Sequence, residues 1–123
     1  MTHHLLTKAA AAAALVFASG AAARAHAFLD RAEPGVGSTL AAPPSQVRIL
    51  FTEALEPAFS AIAVTDAQGH HVEEGKARVD AGNPMMLEVG LAPLTPGTYT
   101  VRWRVISVDT HPTEGNFTFT VKP

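Results

Sequence analysis

The clearest pattern along the chain is alternation of apolar and polar residues with a period of two. In Val47–Thr52 the side chains of Val47, Ile49 and Phe51 face one way and those of Arg48, Leu50 and Thr52 the other. Thr98–Ser107 places Tyr99, Val101, Trp103 and Val105 on one face, against Thr100, Arg102, Arg104 and Ile106. Asn116–Val121 does the same with Phe117, Phe119 and Val121. Successive side chains of a strand point to opposite faces, so each run predicts a strand with one buried face. Ala61–Asp66 is a further run, closed by Ala67-Gln68-Gly69, and Gly75–Val79 and Met86–Val89 are weaker ones. Asn83-Pro84 reads as the turn between those two, and Leu94-Thr95-Pro96-Gly97 as a strong turn, with proline and glycine where their backbone preferences fit. Glu53–Phe59 contains Pro57 and has room for no more than a turn of helix. About seven short strands separated by turn signals predict an all-β, two-sheet sandwich, with a closed barrel as the alternative.

The first 25 residues do not follow this pattern. Met1–Lys8 is basic, Ala9–Ala18 is an uncharged apolar run, and Ala23 and Ala25 satisfy the small-residue rule for a signal-peptidase site. The run is too short for a spanning helix, which needs about 20 apolar residues. No Arg-Arg pair is present, so the general export route is expected, with residues 1–25 as a cleaved Sec-type signal peptide. The alternative is an uncleaved, membrane-anchoring helix. Cleavage after Ala25 removes 25 of the 123 residues, leaves one domain over 26–123, and makes His26 the first residue, with a free α-amino group.

Composition narrows the function. The chain is 47% hydrophobic and has no cysteine, so a disulfide framework and thiolate chemistry are excluded and the core alone must hold the domain. Lys8 and Arg24 leave with the leader, so seven cations face eleven acids in residues 26–123. That balance argues against a nucleic-acid binder.

Four histidines remain. His70-His71 follows Gly69 at a predicted turn, and adjacent strand residues diverge, so the pair reads as a solvated turn. His111 lies in Ser107–Gly115 (SVDTHPTEG), between the two strongest strands. In extended backbone Asp109 and His111 leave the same face and can converge on one ion, and Pro112 disfavours helix at His111. The competing reading is a hydrogen-bonded loop in which Asp109 caps nearby N–H groups. An N-terminal His26 supplies two nitrogens from one residue, the amine and ring Nδ1, in a six-membered chelate. Amines and imidazoles, with reference pKa values of about 8 and 6.5, release protons to a competing metal near neutrality. With His111 and Asp109 the set is three nitrogens and one oxygen, the tetragonal set that Cu(II) prefers. Otherwise His26 is a frayed terminus. Glu53, at the end of Val47–Glu53, is a weak axial ligand, an acceptor for a ligand N–H, or a rim charge. Met85 and Met86 are adjacent and diverge, which fits packing for one and exposure for the other.

Taken together, these residues resemble the CopC family of exported copper-binding proteins. The resemblance runs through the whole of residues 26–123. It rests on His26-Ala27 directly after the export signal, Ala32-Glu33-Pro34-Gly35, VRILFTE (Val47–Glu53), LTPGTYTVRWRV (Leu94–Val105), SVDTHP (Ser107–Pro112) and Gly115-Asn116-Phe117. It implies a Greek-key sandwich, immunoglobulin-like or cupredoxin-like. It also implies one Cu(II) ion held by the amine and Nδ1 of His26, a ring nitrogen of His111 and an oxygen of Asp109, with Glu53 at the site in some members. The chain has only Met85 and Met86 where some members carry a methionine-rich Cu(I) segment, so no sulfur-based site is expected. The implied role is a periplasmic, non-catalytic copper carrier or buffer in homeostasis or resistance, beside an inner-membrane CopD-type protein. Two other functions compete with it. One is an oxidative enzyme with a histidine brace, like lytic polysaccharide monooxygenases. The other is a metal-free sandwich interaction module.

Overall fold

The computed structural model describes residues 26–123; the expected leader, residues 1–25, lies outside the described residues. Eight strands follow in order: β1 (Leu29–Glu33), β2 (Thr39–Leu40), β3 (Gln46–Phe51), β4 (Ala61–Thr65), β5 (Glu73–Asp80), β6 (Asn83–Leu91), β7 (Gly97–Ile106) and β8 (Pro112–Val121). A 3₁₀ turn at Pro57–Phe59 precedes β4, within the segment judged too short for a longer helix. One sheet has the order β1-β3-β6-β5 and the other β2-β8-β7-β4. Only the β5–β6 and β7–β8 hairpins stay within a sheet; every other connection crosses between sheets. The two-sheet sandwich expected from the alternating pattern is the fold observed.

The strands with the strongest alternation form the interior. Val47, Ile49 and Phe51 of β3 and Leu87 and Val89 of β6 meet Tyr99, Val101, Trp103 and Val105 of β7, with Phe117, Phe119 and Val121 of β8. Trp103 stands edge-on to Phe51, with ring centres 5.1 Å apart, and Tyr99 stacks on Phe119 at 5.4 Å. The Tyr99 hydroxyl donates to the Thr95 carbonyl at 2.5 Å, which satisfies a polar atom carried into the core. Burying this apolar face is what holds a 98-residue, cysteine-free domain together.

Three local features depart from the sequence pattern. β1 and β2 carry no alternating apolar signature. β1 buries only Ala32 and is held by its ladder to β3, while β2 is two residues lying parallel to β8. The β5–β6 turn falls at Ala81-Gly82, not at Asn83-Pro84: the Asp80 carboxylate accepts the Gly82 N–H at 2.9 Å and closes the turn earlier, and β6 begins at Asn83. The Ser107–His111 loop is turned, not extended. Thr110 N–H donates to the Ser107 carbonyl at 2.8 Å, and Thr110 takes φ of 71°.

Four strand ends are gathered at one end of the sandwich. Leu29 pairs with Phe51 and Ile106 with Pro112, and across the sheets Glu56 N–H donates to the Ile106 carbonyl at 2.8 Å and the Thr113 hydroxyl to the Ala27 carbonyl, so the start of β1 and end of β3 meet the end of β7 and start of β8. His26, Glu53, Asp109 and His111 are each within a few residues of these four ends.

Candidate metal centre

The segment bearing His26 is fixed to both sheets. Phe28 N–H donates to the Thr52 hydroxyl at 2.9 Å, Thr52 N–H donates to the Phe28 carbonyl at 2.9 Å, and the Thr52 hydroxyl lies 3.5 Å from the His26 carbonyl. On the opposite side the Thr113 hydroxyl donates to the Ala27 carbonyl at 2.5 Å. Ala27 is fully buried. These partners anchor the backbone at Ala27 and Phe28, directly after His26.

The anchoring brings the two histidines together. The rings of His26 and His111 have centres 4.5 Å apart and planes tilted by 33°, and Phe28 flanks His26 at 6.1 Å. Two imidazole nitrogens bonded to one ion at about 2.0 Å each lie within roughly 4 Å of each other, a spacing comparable with that of the two ring centres. Asp109 is beside His111, with Oδ2 at 3.4 Å from its Nδ1. Its other oxygen accepts a hydrogen bond from the Ser107 hydroxyl. That hydroxyl is the main reason the Asp109 carboxyl is held below the ordinary aspartate range; partial desolvation opposes it and His111 adds to it. Asp109 is therefore a carboxylate near neutral pH. Asp109 is thus hydrogen-bonded within its own loop and lies against His111.

Glu53 follows Thr52 directly, where the chain bends away after Phe51, and the next carbonyl, that of Ala54, accepts Val108 N–H at 3.1 Å. It is half-buried at the same end of the sandwich. Among the described residues its carboxylate meets no hydrogen-bonding or ionic partner, and no three His, Asp or Glu side chains sit close enough to hold a metal ion by themselves. Of the candidate ligands, His26 with His111 and His111 with Asp109 are the pairs brought into contact.

The other candidates stand apart. His70 and His71 are exposed in the β4–β5 turn, where each faces a carboxylate: His70 lies 3.6 Å from Asp66, and His71 lies 3.0 Å from Glu73. Asp66 accepts the N–H groups of Gln68 and His70 at 2.9 Å, which organises the turn. Met85 is exposed and Met86 half-buried on opposite faces of β6. The residues the sequence reading missed are the three hydroxyls, Thr52, Ser107 and Thr113. Nothing in their local sequence separates them from ordinary strand threonines and loop serines; only the fold shows that each lies under a candidate ligand.

A Greek-key sandwich without cysteine, with histidines and a carboxylate gathered at the end where both sheets open, defines a narrow class of small β-domain. The CopC domain family matches residues 29–122, and the chain belongs to that family. It is 38% identical over 125 residues to copper resistance protein C of Escherichia coli, covering 96% of this chain and 98% of that protein. Among solved structures it resembles CopC from Methylosinus trichosporium OB3b, with a TM-score of 0.75 and 38% identity over 80% of this chain and 95% of that one. It also resembles PcoC, a methionine-rich copper resistance protein from Escherichia coli, with a TM-score of 0.70 and 36% identity over 80% of this chain and all of that one.

Proposed function

We propose that this protein is a periplasmic Cu(II) carrier or buffer that binds one ion and catalyses no reaction. Export removes residues 1–25, and the ion, as cargo, takes the amine and Nδ1 of His26, a ring nitrogen of His111 and an oxygen of Asp109, with Glu53 as a further oxygen beside them. The observation that carries the reading is the convergence of His26 and His111, 4.5 Å apart although 85 positions separate them in sequence. Two nitrogens from a terminal residue, a second imidazole and an anionic oxygen suit the tetragonal preference of Cu(II). A thiolate-free site also suits an oxidising compartment. The non-enzymatic reading is supported by the aromatic residues. The single Trp and single Tyr, Trp103 and Tyr99, are both inside the core, which leaves Phe28 and Phe59 as the exposed phenyl rings among the described residues. An inner-membrane CopD-type protein is the proposed recipient or donor. No described helix is long and apolar enough to cross a membrane.

The test is Cu(II) affinity, measured by competition with a chelator, for protein starting at His26 and for protein with one extra residue ahead of it. The extension converts the amine to an amide and removes the chelate. Affinity is expected to fall by several orders of magnitude. Equal affinity for the two proteins would sink the proposal.

A further inference from the structure

We infer that Thr113 and Thr52 are positioning residues that hold the chain terminus in register so that the donors of His26 are presented to His111; the inference rests on the copper reading above. A terminal residue is ordinarily the most mobile part of a domain, and a mobile chelate must be ordered at each binding event. Here the backbone immediately after His26 is held from both sides. The Thr113 hydroxyl, on β8 of one sheet, donates to the Ala27 carbonyl at 2.5 Å across 86 positions of sequence. The Thr52 hydroxyl, just past β3 of the other sheet, accepts Phe28 N–H at 2.9 Å and faces the His26 carbonyl at 3.5 Å. Between the two clamps Ala27 is fully buried, so the chain has one seat there and cannot slide by a residue without forcing another side chain into it.

Each clamp is also adjacent to a second candidate ligand. Thr113 lies two residues after His111 and Thr52 one residue before Glu53. The same strand ends that carry His111 and Glu53 therefore also carry the hydroxyls that hold the segment after His26. Neither hydroxyl needs to touch the ion. Their contribution is to fix where the terminal residue begins, which is the quantity that decides whether its amine can reach the same ion as His111.

The test uses protein starting at His26 with Thr113→Val, which keeps the shape and removes the donor, and Thr113→Ser, which restores it. In copper-free protein, ¹⁵N relaxation at Ala27 and Phe28 is expected to show rigid backbone in the parent and in Thr113→Ser, and fast motion in Thr113→Val. Affinity for Cu(II) is expected to fall by about five- to tenfold in Thr113→Val, the scale of one lost hydrogen bond, and to stay within about twofold of the parent in Thr113→Ser. Should Thr113→Val fail to fold, Thr52→Val at an exposed position carries the same two readouts. Rigid terminal backbone and unchanged affinity in the valine variant would overturn the inference. Its failure is separable from failure of the copper reading, because terminal order is read without metal, whereas the copper reading fails when an extra residue ahead of His26 leaves affinity unchanged.

Discussion

Replacing Gly115 with alanine tests how closely the two sheets are fitted behind the site. Gly115 occupies an inward position of β8, in line with Phe117 and Phe119, and its register partner on β7 is Trp103. A Cβ at residue 115 would stand 2.5 Å from Cζ2, 2.9 Å from Cε2 and 3.2 Å from Nε1 of the indole. Carbon atoms in contact prefer about 3.5–4.0 Å, so the ring must retreat by roughly 1 Å. It cannot do so freely, because Phe51 lies against it with ring centres 5.1 Å apart. Overpacking of this kind costs about 1–3 kcal/mol. In a domain near 100 residues each kcal/mol moves the midpoint by about 4–8 °C, so a central value of about 2 kcal/mol lowers it by roughly 8–16 °C. The assay is thermal unfolding of metal-free protein by circular dichroism, with tryptophan emission as a second probe. Gly90→Ala is the control, because a Cβ there meets nothing within 4 Å. A Gly115→Ala midpoint within about 2 °C of the parent, a shift too small for an overpacked core, would refute the packing described for Trp103.

Other substitutions probe the site and the outer face of the first sheet. His111→Ala removes a candidate nitrogen and is expected to weaken Cu(II) binding strongly, whereas Asp109→Asn keeps an oxygen donor without its charge and is expected to cost less; isothermal competition titration orders the two. Ser107→Ala removes the main cause of the lowered Asp109 pKa, so ¹³C NMR of copper-free protein should show that carboxyl titrating nearer the ordinary aspartate value. The sign follows from the direction of the shift. A depressed carboxyl adds stability that is fully present above the unfolded value, about 3.9, and is lost as pH falls through the folded one, so the variant gives up that contribution on the acid limb. On the outer face Glu88 accepts from Arg48 at 3.2 Å and Arg78 at 3.1 Å. Arg78 is largely exposed and Arg48 half-buried, so urea denaturation should show Arg78→Ala losing under about 0.5 kcal/mol, Arg48→Ala about 1 kcal/mol, and Glu88→Ala more than either.

The parts of this architecture that can be read from the chain are those where burial imposes a period. β3, β7 and β8 bury alternate residues, so Val47–Phe51, Tyr99–Val105 and Phe117–Val121 announce themselves. β1 and β2 sit at sheet edges, bury almost nothing, and owe their conformation to hydrogen bonds with β3 and β8, which leave no mark on composition. The site divides in the same way. His26 and the Asp109/His111 pair stand out because their residue types carry chemistry, and the leader tells where the chain is expected to begin. The turned conformation at Thr110 and the hydroxyls of Thr52, Ser107 and Thr113 do not stand out, because each is defined by a partner from another segment, up to 86 residues away. Glu53 lies between these cases. Its position at the end of a strong strand is legible, but the direction of its side chain depends on the bend after Phe51.

Electron paramagnetic resonance of Cu(II)-loaded protein beginning at His26, set beside protein extended by one residue, reads the ligands of the ion themselves. A tetragonal spectrum with nitrogen hyperfine splitting is expected, changing to fewer nitrogen donors on extension. An aquo-like spectrum from protein starting at His26, or identical spectra from the two proteins, would contradict it.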